Sequence, residues 1–306
     1  MIEAKSGFQG VYPMVYALFG PDGSLNRPAV RRQVETMLVG GVHGLAVLGL
    51  ASEVHKLSTA ERHRLMEWVA EDVGGRRPLA VTVAEVSIEG QIEFVRAAAD
   101  VGAQWVILQP PPVKGVPELE LVRFFGAVAD KSVLPVAIQN APEYLGVGLS
   151  AEGLKSLNRN HPNVSILKLE ATAVAVRRIL DATDGGYDVF NGRGGIEIVD
   201  TIRAGGVGII PGGECFDVLA RIFDLMSSSD DGRQTEAERL YERVLPLLVF
   251  LMDSIDNFLV YGKQVLGQRL GLPQRDVRPP FTPPTPFGLE LANLYAARLG
   301  RLAGPA

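Results

Sequence analysis

Cysteine is nearly absent from this chain, and its scarcity narrows where and how the protein works. A single cysteine, Cys215, stands among 306 residues, so no disulfide can form within the chain and a reducing cytoplasm is the expected location. A catalytic thiol is disfavoured because the preceding segment 212–214, Gly-Gly-Glu, brings no histidine to activate it. We therefore expect Cys215 to be a small buried hydrophobic residue.

Long apolar runs, basic clusters and histidine pairs are missing as well. The longest apolar run, near residues 244–252, is too short to span a bilayer, and the amino terminus has no basic segment followed by an apolar one. The net charge is −5 without a run of lysine and arginine, which disfavours nucleic acid and anionic membranes as partners. The four histidines lack metal-ligand spacing, so no metal is expected. A small molecule is the expected partner.

The chain does contain a regular alternation of short apolar runs with amphipathic segments, which is typical of repeated βα units. Helical spacing marks segments such as 59–73, 88–101, 119–131 and 151–160, and Ser58 with Glu61 predicts a capping box ahead of the first. Eight strands buried on both faces favour an α/β fold of the closed (β/α)8 TIM-barrel type over an open doubly wound sheet. The predicted strands are 10–17, 44–49, 79–84, 105–109, 135–139, 164–170, 187–191 and 206–210.

The strand pattern stops after the loop 227–232, which is rich in serine and aspartate. The segments 235–253, 257–270 and 286–302 have helical spacing, and prolines separate the last from the others. We therefore predict a catalytic barrel over residues 1–229 and a C-terminal helical region over residues 230–306.

Lys168 is the one lysine of seven that falls inside a strand pattern, Val-Ser-Ile-Leu-Lys-Leu-Glu at 164–170. Because strand side chains alternate, Lys168 and Glu170 share the face opposite the two leucines and point into the lumen near the C-terminal mouth, where barrel active sites lie. Burial favours the free amine, which attacks carbonyl groups. The alternative is a structural Lys–Glu pair, although such pairs seldom add stability.

Four segments carry a resemblance to a known family: 10–13 (Gly-Val-Tyr-Pro), 49–53 (Gly-Leu-Ala-Ser-Glu), 139–142 (Gln-Asn-Ala-Pro) and 163–168, which ends at Lys168. Over nearly its whole length the chain resembles the dihydrodipicolinate synthase / N-acetylneuraminate lyase superfamily of class I aldolase-type barrels. The resemblance implies a Schiff base between Lys168 and a small 2-keto acid, no cofactor, and a homo-oligomer that is a tetramer or a dimer.

Departures from the family pattern refine that expectation. Both threonines of the family's turn after the second strand are missing, which leaves Ser52 and the backbone of Ala51 and Ser52 to hold the substrate carboxylate. The family's catalytic tyrosine falls on Gln139, which with Asn140 is expected to orient a substrate hydroxyl. The arginine that binds a dicarboxylate in dihydrodipicolinate synthases falls on or next to Tyr144. Dihydrodipicolinate synthase activity itself is therefore disfavoured.

Two carboxylates are candidates for the proton transfers that a glutamine cannot perform. Glu170 shares a face with Lys168, and Glu197 follows the seventh strand; this arrangement is similar to the 2-keto-3-deoxy-L-arabonate dehydratase branch. The alternatives are a Glu170 that only satisfies Lys168 and a Glu197 that only begins a helix. We predict a Schiff-base lyase, most simply a hydro-lyase that dehydrates a 2-keto-3-deoxy sugar acid, in which Glu170 and Glu197 divide the acid and base roles.

Other functions remain open from the sequence. A pyruvate-dependent aldolase would use the same lysine, and a barrel that has lost activity could serve as a ligand-binding or assembly protein. The glycine-rich segments 191–195 and 205–213 could cradle a phosphate, although glycines that permit tight turns are more common.

Overall fold

The structure, a computed structural model, describes residues 4–113, 115–273 and 277–304. Over these residues eight parallel strands are hydrogen-bonded in the order β1-β8-β7-β6-β5-β4-β3-β2. An isolated bridge between Met14, three residues after β1, and Ala46 of β2 nearly closes the ring. The strands are β1 (Gly10–Val11), β2 (Leu45–Val47), β3 (Leu79–Val83), β4 (Trp105–Leu108), β5 (Val136–Asn140), β6 (Val164–Leu169), β7 (Asp188–Asn191) and β8 (Gly208–Ile209). The predicted (β/α)8 barrel is confirmed.

Helices connect the strands and cover the barrel. They are α1 (Arg27–Val39), α2 (Thr59–Val73), α3 (Ile88–Asp100), α4 (Glu118–Ala129), α5 (Pro142–Leu145), α6 (Ala151–Asn160), α7 (Ala173–Ala182), α8 (Ile198–Arg203), α9 (Phe216–Met226), α10 (Asp231–Leu251), α11 (Ile255–Leu270) and α12 (Pro286–Leu299). The capping box of α2 is present, with reciprocal hydrogen bonds between Ser58 and Glu61. The short helix α5 was not expected; its proline at the first position and Gly146 beyond its end are typical of a single helical turn.

The first and last strands are shorter than their apolar runs predict. Pro13 lacks an N–H, so regular pairing of β1 ends early. Gly208 lies so close to β1 that a Cβ there would stand 2.1 Å from the carbonyl oxygen of Gly10. The apolar residues that follow still lie in the core, because burial does not require strand geometry.

Aromatic rings fill the lower part of the lumen. Tyr12, Trp105 and Phe190 meet with ring centroids 5.2 to 5.5 Å apart. In the sheet register Phe190 is paired with Lys168, which is paired in turn with Gln139. Aromatic side chains therefore fill the lumen beside and beneath Lys168.

The C-terminal helices pack onto the barrel. In α11 the buried Lys263 pairs with Glu53, which follows β2, and Arg269 pairs with Asp217 at the start of α9, with a nitrogen–oxygen distance of 2.7 Å. The division into regions before and after residue 230 stays a prediction. Within the described residues, no helix combines the length and apolar character needed to cross a bilayer.

Candidate active site

Lys168 and Glu170 form the centre of the site at the carboxyl end of β6. The Lys168 Nζ lies 2.8 Å from Oε1 of Glu170, and the residues are only 3% and 9% exposed. Removing two opposite charges from water is costly unless each is paired and hydrogen-bonded. An amine and a carboxylate thus stand in direct contact beneath the mouth of the barrel.

Glu170 is held in place by the loop after β7. Its Oε2 accepts a hydrogen bond from the backbone N–H of Arg193. Gly192 makes room for the carboxylate, since a Cβ at that position would lie 2.1 Å from Oε2. The absence of a side chain at residue 192 is therefore a steric requirement of the Glu170 position.

Gln139 lies beside Lys168 on the neighbouring strand. Its Oε1 accepts a hydrogen bond of 2.9 Å from Nε2 of Gln109, whose backbone carbonyl accepts one from Gln91. The Nε2 of Gln139 is buried and has no partner. A buried donor without an acceptor costs about 1–3 kcal/mol. The Gln139 amide therefore keeps one buried donor that the protein does not use.

Ser52 and Asn140 are hydrogen-bonded within the protein. Ser52 donates from its hydroxyl to the carbonyl of Val15 and accepts from the N–H of Leu48, while its own N–H donates to the carbonyl of Gly49 at 3.0 Å. Asn140 uses both its amide oxygen and its amide nitrogen on the backbone of Leu149, at 2.8 and 2.9 Å. In this structure both side chains hold loops in position.

Glu197 lies at the same end of the barrel, immediately before α8. Its Oε1 accepts from a guanidinium nitrogen of Arg193 at 3.2 Å, and its Oε2 accepts from the N–H of Ala173, the first residue of α7. Its side chain is 24% exposed. Arg193 thus links Glu197, through its side chain, to Glu170, through its backbone.

A cavity of about 30 Å³ lies over Lys168 and Glu170. Ala51, in the turn after β2, contributes to its wall together with residues that the sequence did not single out. These residues are Met14, Leu50, Arg193, Gly194, Ile210, Pro211, Met252 just before α11, and Ile255 and Phe258 of α11. The sequence feature that could have identified Arg193 is a large cationic residue inside the glycine-rich loop after β7.

The glycines of that loop have packing roles that leave little room for a phosphate. Gly192 admits the Glu170 carboxylate, and Gly194 lies against Met252, whose sulfur would be 2.8 Å from an added Cβ. Gly194 and Gly195 also have positive φ values of 62° and 86°. Over the described residues no cluster of three or more potential metal ligands occurs.

Two wider clefts, of about 420 and 410 Å³, open at the other end of the barrel, where β7 and β8 begin. The charged groups of the second cleft are paired with their neighbours: Arg177 with Asp181, and the backbone N–H of Lys5 with Asp188. Neither cleft reaches Lys168, so size alone does not identify the site.

Comparison with known proteins agrees with this geometry. The model of the dihydrodipicolinate synthetase family matches residues 7–287. An L-2-keto-3-deoxyarabonate dehydratase of Azospirillum brasilense is 29% identical over 249 residues, 78% of each chain. A 4-hydroxy-tetrahydrodipicolinate synthase of Methanococcus vannielii is 26% identical over 89% of this chain and 92% of its own. The structure of a Ruminococcus gnavus sialic acid aldolase superimposes with a TM-score of 0.86 at 22% identity, over 95% of this chain and 97% of its own, a likeness of fold.

Proposed function

The chain belongs to the dihydrodipicolinate synthetase family, and from this membership and the Lys168 site we propose that it is a lyase that forms a Schiff base with a small 2-keto acid. The observation that carries the proposal is the buried contact of 2.8 Å between the Lys168 amine and the Glu170 carboxylate at the barrel mouth. A carboxylate in contact with the amine can remove the proton that would otherwise prevent nucleophilic attack.

The first steps follow from that contact. Glu170 takes a proton from Lys168, and the free amine adds to the C2 ketone of the substrate. The hydroxyl of the resulting carbinolamine takes the proton that Glu170 removed from Lys168 and leaves as water, which gives an iminium ion that withdraws electrons from C3. A C3 proton then passes to a carboxylate, and the electron pair of the broken C–H bond forms an enamine.

The finer proposal is dehydration of a 2-keto-3-deoxy sugar acid. Glu170 and Glu197 divide the remaining work: one accepts the C3 proton, and the other takes a proton from solvent and donates it to the C4 hydroxyl, which leaves as water. Glu197 would have to release a hydrogen bond to donate, because both of its oxygens already accept one. The name of the Azospirillum relative and the glutamine in place of the family's tyrosine support dehydration.

Binding of the substrate carboxylate falls to the turn after β2. The N–H groups of Ser52 and Glu53 are used within this turn, so the N–H groups of Leu50 and Ala51 are the better donors. Ser52 and Asn140 contribute by fixing the turn and the loop that ends at Leu149. Gln139 offers its unpartnered Nε2 to a substrate oxygen. No cofactor takes part, since the iminium itself is the electron sink.

Borohydride reduction in the presence of pyruvate tests the Schiff base. We expect a reduced adduct on Lys168 by mass spectrometry, lost in Lys168→Met and retained in Lys131→Met, which replaces an exposed lysine. An adduct on another lysine would contradict the role of Lys168. The absence of any adduct would contradict the Schiff-base proposal and favour a barrel that only binds ligands.

Product analysis separates the two lyase reactions. With a panel of five- and six-carbon 2-keto-3-deoxy sugar acids, a hydro-lyase keeps every carbon in one product. Release of pyruvate together with an aldehyde would instead indicate an aldolase, the alternative that keeps the same lysine.

Assembly and location complete the proposal. We propose a homo-oligomer, tetramer or dimer, in the cytoplasm, supported by the family and by the single cysteine. Light scattering coupled to gel filtration should give a mass of two or four times 32.9 kDa. A monomer at micromolar concentration would contradict it.

A further inference from the structure

Arg193 is a positive charge in a cavity that is otherwise largely apolar. Besides Lys168 and Glu170, the described wall consists of Arg193, glycine, and apolar residues such as Met14, Ile210 and Phe258. Lys168 is consumed by the Schiff base in the proposed reaction. Arg193 is then the cationic side chain of this wall that can contact the part of the substrate beyond the reacting carbons.

The backbone of Arg193 is held by Glu170, and its side chain is partly exposed. Its φ is +50°, and its N–H is hydrogen-bonded to Glu170. The side chain is 26% exposed and makes a hydrogen bond of 3.2 Å to Glu197. A guanidinium has five N–H donors, so it can hold Glu197 and a ligand oxygen together. Because the cavity is only about 30 Å³, a sugar acid must displace a side chain at the rim. The long side chain of Arg193 can change rotamer to make that room.

Charge balance indicates which groups this side chain can accept. Lys168 and Arg193 bring two positive charges and Glu170 and Glu197 two negative ones, so the site is neutral before substrate enters. The C1 carboxylate of a 2-keto acid makes it negative. A second carboxylate at the far end of the substrate would meet an arginine already neutralised by Glu197, whereas a hydroxyl can accept from Arg193 and donate to Glu197.

Tyr144 lies on the same side of the mouth. Burial, followed by the negative charge of Glu170, raises the pKa of Tyr144, and Arg193 works in the opposite direction. The tyrosine is therefore a neutral hydrogen-bonding group at neutral pH. It adds no cation that would favour an acidic substrate tail.

We propose that Arg193, paired with Glu197, forms a distal subsite that binds the hydroxyl groups of a monocarboxylic sugar acid and discriminates against a second carboxylate. This inference rests on the proposed Schiff-base function and specifies its substrate class. Arg193 acts on specificity, because it faces the substrate tail and not the carbon that Lys168 attacks.

The test compares three ligands by the concentration that gives half-maximal borohydride trapping on Lys168. They are pyruvate, which has no tail, a five-carbon 2-keto-3-deoxy aldonic acid, and the dicarboxylic acid of the same length. In the wild-type protein we expect the aldonic acid to saturate at a concentration at least about tenfold below that of the dicarboxylic acid, as the loss of one charged hydrogen bond implies.

Arg193→Met keeps the length of the side chain and removes its charge. We expect it to raise the half-saturating concentration of the aldonic acid by about tenfold or more and that of pyruvate by less than about twofold. Trapping of pyruvate reports that the variant is folded and that Lys168 is intact. Arg203→Met, which replaces an exposed arginine of α8, serves as the matched control and should change neither value.

A second variant examines the charge argument. In Glu197→Gln the arginine is no longer neutralised, so the preference for the aldonic acid over the dicarboxylic acid should shrink or reverse, whatever happens to turnover. Equal shifts for pyruvate and the aldonic acid in Arg193→Met would overturn the distal subsite. So would a wild-type protein that takes the dicarboxylic acid equally well. Failure of pyruvate to be trapped on wild-type Lys168 would instead remove the Schiff-base function and the subsite with it.

Discussion

The Glu170 carboxylate occupies space that a single methyl group would fill. A Cβ at residue 192 would lie 2.1 Å from Oε2 of Glu170. We expect Gly192→Ala to fold but to turn the carboxylate away from Lys168, lowering kcat by about 100-fold, the lower end of the range for a general base.

Steady-state kinetics with unfolding in urea measures both parts of this prediction. Gly304→Ala, at a glycine with open space around it, is the matched control. An unchanged kcat in a folded Gly192→Ala protein would show that the Glu170 position is not required.

The buried amide of Gln139 gives a second prediction at the scale of one residue. Gln139→Met removes one hydrogen bond, from Gln109, but also one unpartnered donor. We expect the free energy of unfolding to change by less than about 1 kcal/mol while kcat/KM falls about tenfold.

Gln91→Met should behave in the opposite way. Gln91 donates to the backbone carbonyls of Glu85 and Gln109, at 2.9 Å each, and leaves both without this partner when replaced. We expect it to destabilise more than Gln139→Met and to reduce activity less. If Gln139→Met left kcat/KM unaltered, its amide would have no role in substrate binding.

At the scale of elements, one buried ion pair connects α11 to the turn after β2. Lys263 pairs with Glu53, and both side chains are fully buried. That turn carries Leu50 and Ala51 of the cavity wall, while α11 adds Ile255 and Phe258. The C-terminal helices therefore help to shape the site.

Breaking this pair should cost stability. Lys263→Met leaves the Glu53 charge buried with weaker compensation, from Lys56 at 3.1 Å and the backbone N–H of Arg278 at 3.2 Å. We expect the free energy of unfolding to fall by about 3 kcal/mol, and the double variant with Glu53→Gln to recover part of it. Urea unfolding of Lys263→Met and of the control Lys131→Met, which replaces an exposed lysine, measures the loss of stability. Equal free energies of unfolding for these two variants would contradict a structural role for the pair.

At the scale of the whole molecule, two buried groups make stability depend on pH. Burial raises the pKa of Glu214 from 4.5 to about 7, and burial lowers the pKa of Lys263 from 10.5 to about 8. Between pH 4.5 and 7 the folded state binds more protons at Glu214 than the unfolded state does. The contribution of Glu214 to the free energy of unfolding is therefore fully present below pH 4.5 and is lost as the pH rises through 7. Between pH 8 and 10.5 the unfolded state binds more protons at Lys263, so stability rises there.

Glu214→Gln isolates the first effect. The wild-type protein should lose up to about 3 kcal/mol relative to the variant between pH 4.5 and 7, and the difference should then stay constant to pH 8. Unfolding in urea across this range measures it. Parallel curves for the two proteins would contradict a protonated Glu214, whose Oε2 accepts from the Tyr16 hydroxyl at 2.9 Å.

The sequence by itself determined the features that depend on local periodicity. Alternating apolar runs specified the eight strands, Ser58 and Glu61 specified the start of α2, and the two-residue period of a strand placed Lys168 and Glu170 on one face. Each of these rests on neighbours within a few residues along the chain. The strand and helix bounds accordingly agree to within a few residues for most elements.

Tertiary structure decided which of the polar candidates face the cavity. Ser52 is hydrogen-bonded to Val15, and Asn140 to Leu149, while Arg193 joins the wall and links Glu170 to Glu197. Such partners can stand 37 residues apart in sequence, as the Ser52 hydroxyl and Val15 do. The spacing of residue types along the chain does not encode which distant donor meets which acceptor. Closure of the barrel, which places the loops after its strands next to one another, brings those atoms together.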